Sequence, residues 1–168
     1  MTMPASERER IRQYLVEQAA GKGIEELIGR VEEGVQELRA AALAIPAGRY
    51  GEHPPGDEWC PADCLGHVVE WNLRVARAVL HAALTGELPA DGPVELPGDR
   101  DGMLAAHDEG IASLYEHVRA ADPSAFLELR WEHPFFGPLN WREWFLFLRL
   151  HAKDHARQLA GMREALGA

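Results

Sequence analysis

Hydrophobic positions recur along most of the chain at intervals of three and four residues, which is the spacing of one face of an α-helix. Five segments follow this pattern, and they predict helices over residues 6–19, 24–45, 61–85, 99–121 and 140–166. In the second segment charged residues occupy the other faces, and its apolar positions are Ile24, Leu27, Ile28, Val31, Val35, Leu38, Ala42 and Ile45. No segment alternates convincingly as a strand, although residues 126–131 are a candidate for one short extended piece.

Residues that favour helix ends support two of these helices. Pro61 suits the first turn of a helix, because its missing N–H is not needed there. Asn140 is a favourable N-cap, and Glu143 three residues later completes a variant of the capping box. Gly167 ends the last helix. These signals predict where the helices over 61–85 and 140–166 begin and where the second of them ends.

Four long helices predict an all-α fold, a four-helix bundle. The link over residues 86–98 contains three prolines and is long enough to cross the bundle. The second and third core helices would then run parallel, which gives an up-down-down-up topology. Residues 1–22 would form an N-terminal arm with a short extra helix on the surface, and residues 23–168 the bundle, within a single domain overall.

The charge balance narrows the choice of partner. The chain has 168 residues, of which 46% are apolar and 26% charged, as in an ordinary globular domain. The net charge is −10 and no basic cluster is present, so nucleic acid is not expected as a partner. The first ten residues lack the apolar run of a signal peptide, and no stretch approaches the roughly 18 apolar residues of a membrane span. We therefore expect a cytoplasmic protein with no membrane partner.

Two histidines in the last predicted helix carry the strongest chemical signal. His151 and His155 fall within its apolar stripe, four residues apart, so their imidazoles project from successive turns on one side. A buried imidazole needs partners for both ring nitrogens, and a metal ion would satisfy one nitrogen of each ring at once. The alternative is a pair of core histidines that hydrogen-bond to carboxylates or water.

Two further histidines are candidates for a third ligand. His67 lies beside the apolar stripe of the helix over 61–85, about two turns from its start. His107 lies near the start of the next helix, on its core face, so it is either a rival third ligand or a group that polarises a bound water. The other four, His53, His81, His117 and His133, are assigned no chemistry, with a reservation for His133 because its loop leads into the last helix.

The two cysteines allow one competing metal site. Cys60, Cys64 and His67 are spaced like ligands on one helical face. However, Cys60 precedes a proline and is biased out of helical geometry, and Cys64 falls on the apolar stripe, where a thiol packs as a small hydrophobe. Two thiols are also too few for a disulfide framework, so we expect both to be reduced.

Two blocks of the sequence resemble the DinB/YfiT-like superfamily of candidate metalloenzymes, which are DinB-like four-helix bundles. Residues 57–71, DEWCPADCLGHVVEW, look like the family's Trp-containing loop and the helix with a ligand histidine. The turn GPL at 137–139 and the segment LHAKDHARQL at 150–159 are similar to its closing H-x-x-x-H-x-x-Q helix. The resemblance spans roughly residues 24–166.

This resemblance implies an up-down-down-up bundle in which His67, His151 and His155 hold a divalent metal ion, Ni or Zn. It also implies a small-molecule substrate and a homodimer. Related branches include S-transferases that use bacillithiol or mycothiol as cosubstrate, a maleylpyruvate isomerase, and self-resistance proteins against genotoxins. Because many members have no known activity, the family does not settle the function.

The leading hypothesis is a metal-dependent enzyme, a hydrolase or a thiol S-transferase, in which the ion activates water or a low-molecular-weight thiol. Glu70, one turn after His67, and His107 are the candidate catalytic residues. Asp154 is a weaker candidate, because it points away from the apolar stripe.

Trp71, Trp144 and Phe135 are candidates for the wall of an apolar pocket, although core packing is the simpler role for the two tryptophans. The alternative function is a non-catalytic bundle that binds a small molecule or a metal for sequestration or resistance. A third hypothesis is a structural or dimer-forming protein whose histidines are merely buried.

Overall fold

Four helices of 20 to 26 residues form the body of the molecule. The structure, a computed structural model, describes residues 3–90 and 92–168. Within those residues the elements are α1 (Ala5–Gly21), α2 (Ile24–Leu43), α3 (Pro61–Thr85), α4 (Arg100–Ala120), β1 (Arg130–His133), β2 (Gly137–Asn140) and α5 (Trp141–Leu166), with a short 3₁₀ turn at Ala47–Arg49. The predicted all-α bundle is confirmed. No helix in the described residues is long and apolar enough to cross a membrane.

The helix ends follow the capping residues in the sequence. The side chain of Asn140 accepts hydrogen bonds from the backbone N–H groups of Arg142 and Glu143, and Glu143 accepts one from the N–H of Asn140 in return. Helix α3 begins with Pro61 after a similar box, in which the N–H of Cys60 donates to Asp63 at 2.9 Å. Both helices therefore start where their sequence signals predict.

The direction of each helix follows from which residues meet. Helices α3 and α4 run parallel, because Gly66 lies near Met103 while Asn72, further along α3, meets His107. Helices α2 and α5 are also parallel, because Glu33 pairs with Arg149 while Glu37, one turn later in α2, pairs with Lys153, one turn later in α5. Gly34 lies against Arg149. The two helices pack closely there, since a Cβ atom on Gly34 would come within 2.8 Å of the Arg149 carbonyl oxygen.

Helices α3 and α5 are antiparallel, because Cys64 meets His155 while Asn72, later in α3, meets His151, earlier in α5. An ion pair between Arg39 and Asp108 and another between Glu25 and Arg119 show that α2 and α4 are antiparallel as well. The directions of α2, α3, α4 and α5 are thus up, down, down and up.

The expectation that residues 6–19 lie on the surface outside the core is wrong. Leu15 is fully buried and Ala19 is 2% exposed, and both belong to the interface between α1 and the bundle. Arg142 of α5 donates hydrogen bonds to the carbonyl oxygen of Ala19. A helix with few apolar residues was expected to stay outside, but polar contacts with α5 supplement its small apolar face.

A two-stranded hairpin precedes α5, where the sequence suggested only an extended piece at 126–131. Strands β1 and β2 pair antiparallel, with Arg130 opposite Asn140 and His133 opposite Gly137. Four-residue strands are too short to show a convincing alternation. Contacts with α5 stabilise the hairpin. Trp131 stacks on Trp144 with ring centroids 5.4 Å apart, and the Trp144 indole N–H donates to the Trp131 carbonyl oxygen.

Candidate metal centre

His67, His151 and His155 meet where α3 crosses α5. One nitrogen from each ring lies within 4.8 Å of the other two, so the three form a group that could hold a metal ion. The antiparallel packing of α3 on α5 brings His67 opposite the pair on α5. His155 is 9% exposed, His151 is half-buried and His67 is exposed, so the group opens to solvent on the His67 side.

Hydrogen bonds fix the orientation of the two rings on α5. Nδ1 of His151 lies 2.8 Å from Oδ1 of Asn72, and Nδ1 of His155 lies 2.9 Å from Oε1 of Gln158. Both partners are amide oxygens, which only accept, so each Nδ1 donates its proton. Each neutral ring then has a lone pair on Nε2.

These two Nε2 atoms face each other at 3.1 Å. Two acceptor atoms at hydrogen-bond distance repel each other unless a proton or a cation lies between them. Burial lowers the pKa of His151 to about 2, with smaller contributions from neighbouring imidazoles. Burial also lowers the pKa of His155, although the hydrogen bond to Gln158 opposes this shift. Protonation at neutral pH therefore does not relieve the repulsion, whereas a divalent cation bound to both nitrogens does. The donor set fits a metal ion.

The side chain of Asn72 connects this group to His107. Asn72 is fully buried on α3, and its Nδ2 donates to Nε2 of His107 at 3.0 Å. His107, 1% exposed, therefore lies behind Asn72 and is not brought together with His67, His151 and His155. The sequence alone did not point to Asn72 as a site residue. Its signal was a lone amide among the apolar positions of α3, five residues after His67.

The two carboxylates suggested by the sequence lie on different sides of the group. Glu70 lies 3.6 Å from the Arg74 guanidinium, and its charge partly opposes the lowering of the His67 pKa by burial. It does not line the cavity described below. Asp154 does line it, although helix geometry placed Asp154 away from the apolar stripe. Of the two, Asp154 has access to a molecule in that cavity.

The cysteines do not form the competing site with His67. Cys60 and Cys64 are both buried free thiols. Sγ of Cys64 lies 3.7 Å from Nδ1 of His155, and burial raises the pKa of this thiol to about 12, so it is not a thiolate at neutral pH. Cys60 instead groups with His53 and Asp63 at a second place where an ion could bind, although Asp63 already accepts from the Cys60 N–H.

A cavity of about 730 Å³ opens beside the histidine group, and its size is typical of small-molecule sites. His67 and His151 line it together with the rings of Trp71, Phe135, Phe136 and Phe147. The suggestion that Trp71 and Phe135 line a pocket is thus confirmed. Trp144 does not line this cavity, but it stacks on Trp131, and both line a second cavity of about 270 Å³ on the other side of Trp71.

His133, to which the sequence gave no role, also lines the cavity. It is not in a loop but at the end of β1, and it is only 3% exposed. The sequence signal was its place in His133-Pro134-Phe135-Phe136, an unusually aromatic turn directly before α5. Without the hairpin, nothing in the sequence brings this turn beside the histidines of α5.

The fold and the site together define a four-helix bundle with a candidate three-histidine metal centre at the mouth of an aromatic cavity. Comparison with known families agrees, since the sequence model of the DinB superfamily matches residues 30–159. The chain belongs to the DinB superfamily. Neither the curated proteins nor the solved structures gave a match.

Proposed function

We propose that this protein is a metal-dependent enzyme in which His67, His151 and His155 hold one divalent ion, Zn or Ni. The observation that carries the proposal is the pair of Nε2 atoms of His151 and His155, 3.1 Å apart, with both Nδ1 atoms engaged by amide oxygens. Without a cation between them, the two facing lone pairs repel each other and destabilise the folded protein. A bound cation removes this repulsion. The reaction is hydrolysis or thiol transfer on a small molecule.

When bound, a divalent ion at three neutral imidazoles supplies Lewis acidity, which lowers the pKa of water or of a thiol at its open positions. The residues of the chain perform the other tasks. Asn72 and Gln158 hold the two rings of α5 in the tautomer that leaves Nε2 free. The aromatic wall limits water in the cavity, and Asp154 at its edge is placed to accept a proton.

Basic side chains at the edge of the cavity are a second feature that could recognise the proposed substrate. Arg149 and Lys153 line the cavity, and both are ion-paired with Glu33, at 3.1 and 2.9 Å. These pairs fix the two cations in place and reduce their net charge. The edge therefore favours a polar or weakly anionic end on a molecule whose apolar part enters between the rings.

The proposal is tested by turnover of two reactions with zinc-loaded or nickel-loaded protein. One reaction is hydrolysis of nitrophenyl acetate, and the other is transfer of bacillithiol or mycothiol to chlorodinitrobenzene. We expect metal-dependent turnover of one of them, its loss in His151→Ala/His155→Ala, and its retention in His117→Ala, a histidine outside the site. Turnover that does not depend on added metal, or that survives in the double variant, contradicts the proposal.

Binding without catalysis is the second candidate, and the carboxylates favour it. Glu70 is paired with Arg74 away from the cavity, and Asp154 is exposed at its edge, so neither is held against the histidine group. A protein that takes up one equivalent of metal and turns over neither reaction would fit this function. The homodimer, the small-molecule partner and the lack of nucleic-acid binding stay predictions, the last in keeping with the net charge of −10.

A further inference from the structure

His133 lies in the aromatic part of the cavity, outside the three-histidine group. Its ring centroid is 4.4 Å from that of Phe147 and 4.5 Å from that of Phe136. Phe147 in turn stacks on His151, with centroids 5.5 Å apart. A molecule that reaches His133 in this cavity therefore lies across Phe147 from the proposed metal ligands.

The hydrogen bond at one ring nitrogen fixes the proton on the other. The backbone N–H of Phe135 donates to Nδ1 of His133 at 3.1 Å, so Nδ1 carries a lone pair. Burial lowers the pKa of His133 to about 4, which keeps the ring neutral at pH 7. The single proton of the neutral ring is then on Nε2.

This Nε2–H group is buried and has no acceptor among residues 3–90 and 92–168. The indole N–H of Trp71 is a second buried donor on the cavity wall without an acceptor in those residues. An unpaired buried donor is destabilising, and native structures rarely keep one without a reason. Two such donors on the wall of one cavity indicate a site for a molecule that brings acceptor atoms.

The geometry points to a small-molecule site in which the Nε2–H of His133, enclosed by its aromatic neighbours when the cavity is empty, donates to an oxygen of a planar, apolar ligand that displaces one of those neighbouring rings. The aromatic wall sets the class of ligand: its flat part packs against the surface formed by Phe135, Phe136 and Phe147, and a carbonyl or carboxylate oxygen faces His133. This inference deepens the proposed function and rests on it for one point, that the reacting end of the molecule lies beside His67, His151 and His155.

A competing explanation is that the Nε2–H simply points at an aromatic face, since His133 and Phe147 meet at 69°. Such contacts are weaker than a hydrogen bond to oxygen. Two variants separate the explanations. His133→Phe keeps a flat ring in the aromatic cluster but removes the donor, whereas His133→Gln keeps an N–H donor near the position of Nε2.

The test compares acetophenone, an aryl ketone, with ethylbenzene, which has a similar shape but no acceptor oxygen. Binding is followed by NMR of protein with ¹⁵N-labelled histidine, which reports the tautomer of His133 and the shift of its Nε2 proton. We expect wild-type protein to bind acetophenone about tenfold more tightly than ethylbenzene, the effect of one added hydrogen bond. His133→Phe should bind both alike, and His133→Gln should retain most of the preference.

The titrations are run with metal-free and with zinc-loaded protein, and each variant is first shown to unfold cooperatively. If wild type and His133→Phe have the same preference in the metal-free protein, or if acetophenone leaves the His133 ring signals unchanged, the inference is overturned. If zinc fails to bind while His133 still discriminates between the two probes, the metal centre is wrong and the His133 site stands.

Discussion

Two buried polar sites on α5, about two and a half turns apart, are completed in opposite ways. Arg142, near the start of the helix, is 9% exposed, and its guanidinium donates to the carbonyl oxygens of Ala19, Lys22 and Pro123 at 2.6 to 3.0 Å. At His151 and His155 the chain supplies partners for both Nδ1 atoms but leaves the two Nε2 atoms facing each other.

The difference separates a structural site from a binding site. At Arg142 the cation is matched by carbonyl groups from the last turn of α1, from the α1–α2 connection and from the loop before the hairpin, so the chain itself supplies every partner of the guanidinium described above. At the histidine pair the chain, over the residues that the structure describes, fixes the orientation of both rings through their Nδ1 atoms but provides no donor for either Nε2 atom. A buried polar group whose hydrogen bonds are complete serves the fold, while one whose bonds are prearranged but incomplete indicates a ligand.

The largest effect should come from breaking the complete site. Arg142→Met leaves three carbonyl groups without their donor, so we expect it to lower the free energy of unfolding by about 3 kcal/mol or more. Urea denaturation measures this change. Arg142→Lys is the matched control and should recover only part of the loss, because one ammonium group cannot reach all three carbonyls. Zinc affinity measured well below the melting temperature should be unchanged, and a large loss of affinity would show that the two sites are not independent.

Zinc should complete the incomplete site. At a free concentration one hundred times the dissociation constant, binding to the folded state raises the free energy of unfolding by about 2.7 kcal/mol. We expect this increase for the wild type and none for His151→Phe/His155→Phe, as measured by thermal unfolding with and without zinc. The metal-free double variant loses the repulsion between the facing lone pairs but also the hydrogen bonds to Asn72 and Gln158, so its own stability without zinc is the baseline for this comparison. A double variant that zinc still stabilises would place the ion elsewhere.

Removing the support behind a ligand should have an intermediate effect. Asn72→Ala takes away the oxygen that fixes the His151 ring, and loss of such a partner typically weakens metal binding by about 10-fold to 100-fold. Isothermal titration with zinc measures the change. Val79→Ala is the control, since Val79 is equally buried on α3 but lies away from the histidines. Val79→Ala should reduce stability and leave the zinc affinity unchanged. Equal zinc affinities in the two variants would show that Asn72 does not support metal binding.

The smallest effect should appear as a dependence of stability on pH at His107. Burial lowers the pKa of His107 in the folded protein to about 4, whereas an unfolded histidine titrates near about 6.5. The unfolded state therefore binds more protons between these values, so stability is present above about pH 6.5 and is lost as the pH falls towards 4. By about pH 5.5 the loss attributable to this residue is about 1.4 kcal/mol.

His107→Gln should reduce that slope, because glutamine does not titrate and its amide oxygen can still accept from Asn72. The measurement is urea denaturation of both proteins across this pH range. Equal slopes would mean that His107 takes up a proton in the folded state without cost.

How far the sequence could predict this molecule depended on the range of the interactions. Local signals gave the ends of α3 and α5, since Pro61 and the Asn140–Glu143 capping box act within one turn. The spacing of His151 and His155 was also local. The burial of α1 and the hairpin could not be predicted, because both depend on contacts with side chains of α5 such as Arg142 and Trp144.

In the site, too, the features set by local sequence could be predicted, and those set by contacts between distant elements could not. Asn72 and His133 were missed because neither has a neighbour in sequence that reveals its role. Asn72 matters only because α3 and α4 run parallel, which brings His107 to one side of it and His151 to the other. His133 matters only because the hairpin folds its turn over Phe147.

X-ray absorption spectroscopy of protein loaded with one equivalent of zinc is the most direct test of whether His67, His151 and His155 hold the ion. We expect nitrogen and oxygen neighbours at about 2.0–2.1 Å, with the scattering pattern of three imidazoles and no sulfur. A sulfur neighbour at about 2.3 Å would place the ion at Cys60 or Cys64 instead. Two or fewer imidazoles, or failure to retain one equivalent of zinc, would also contradict the three-histidine centre.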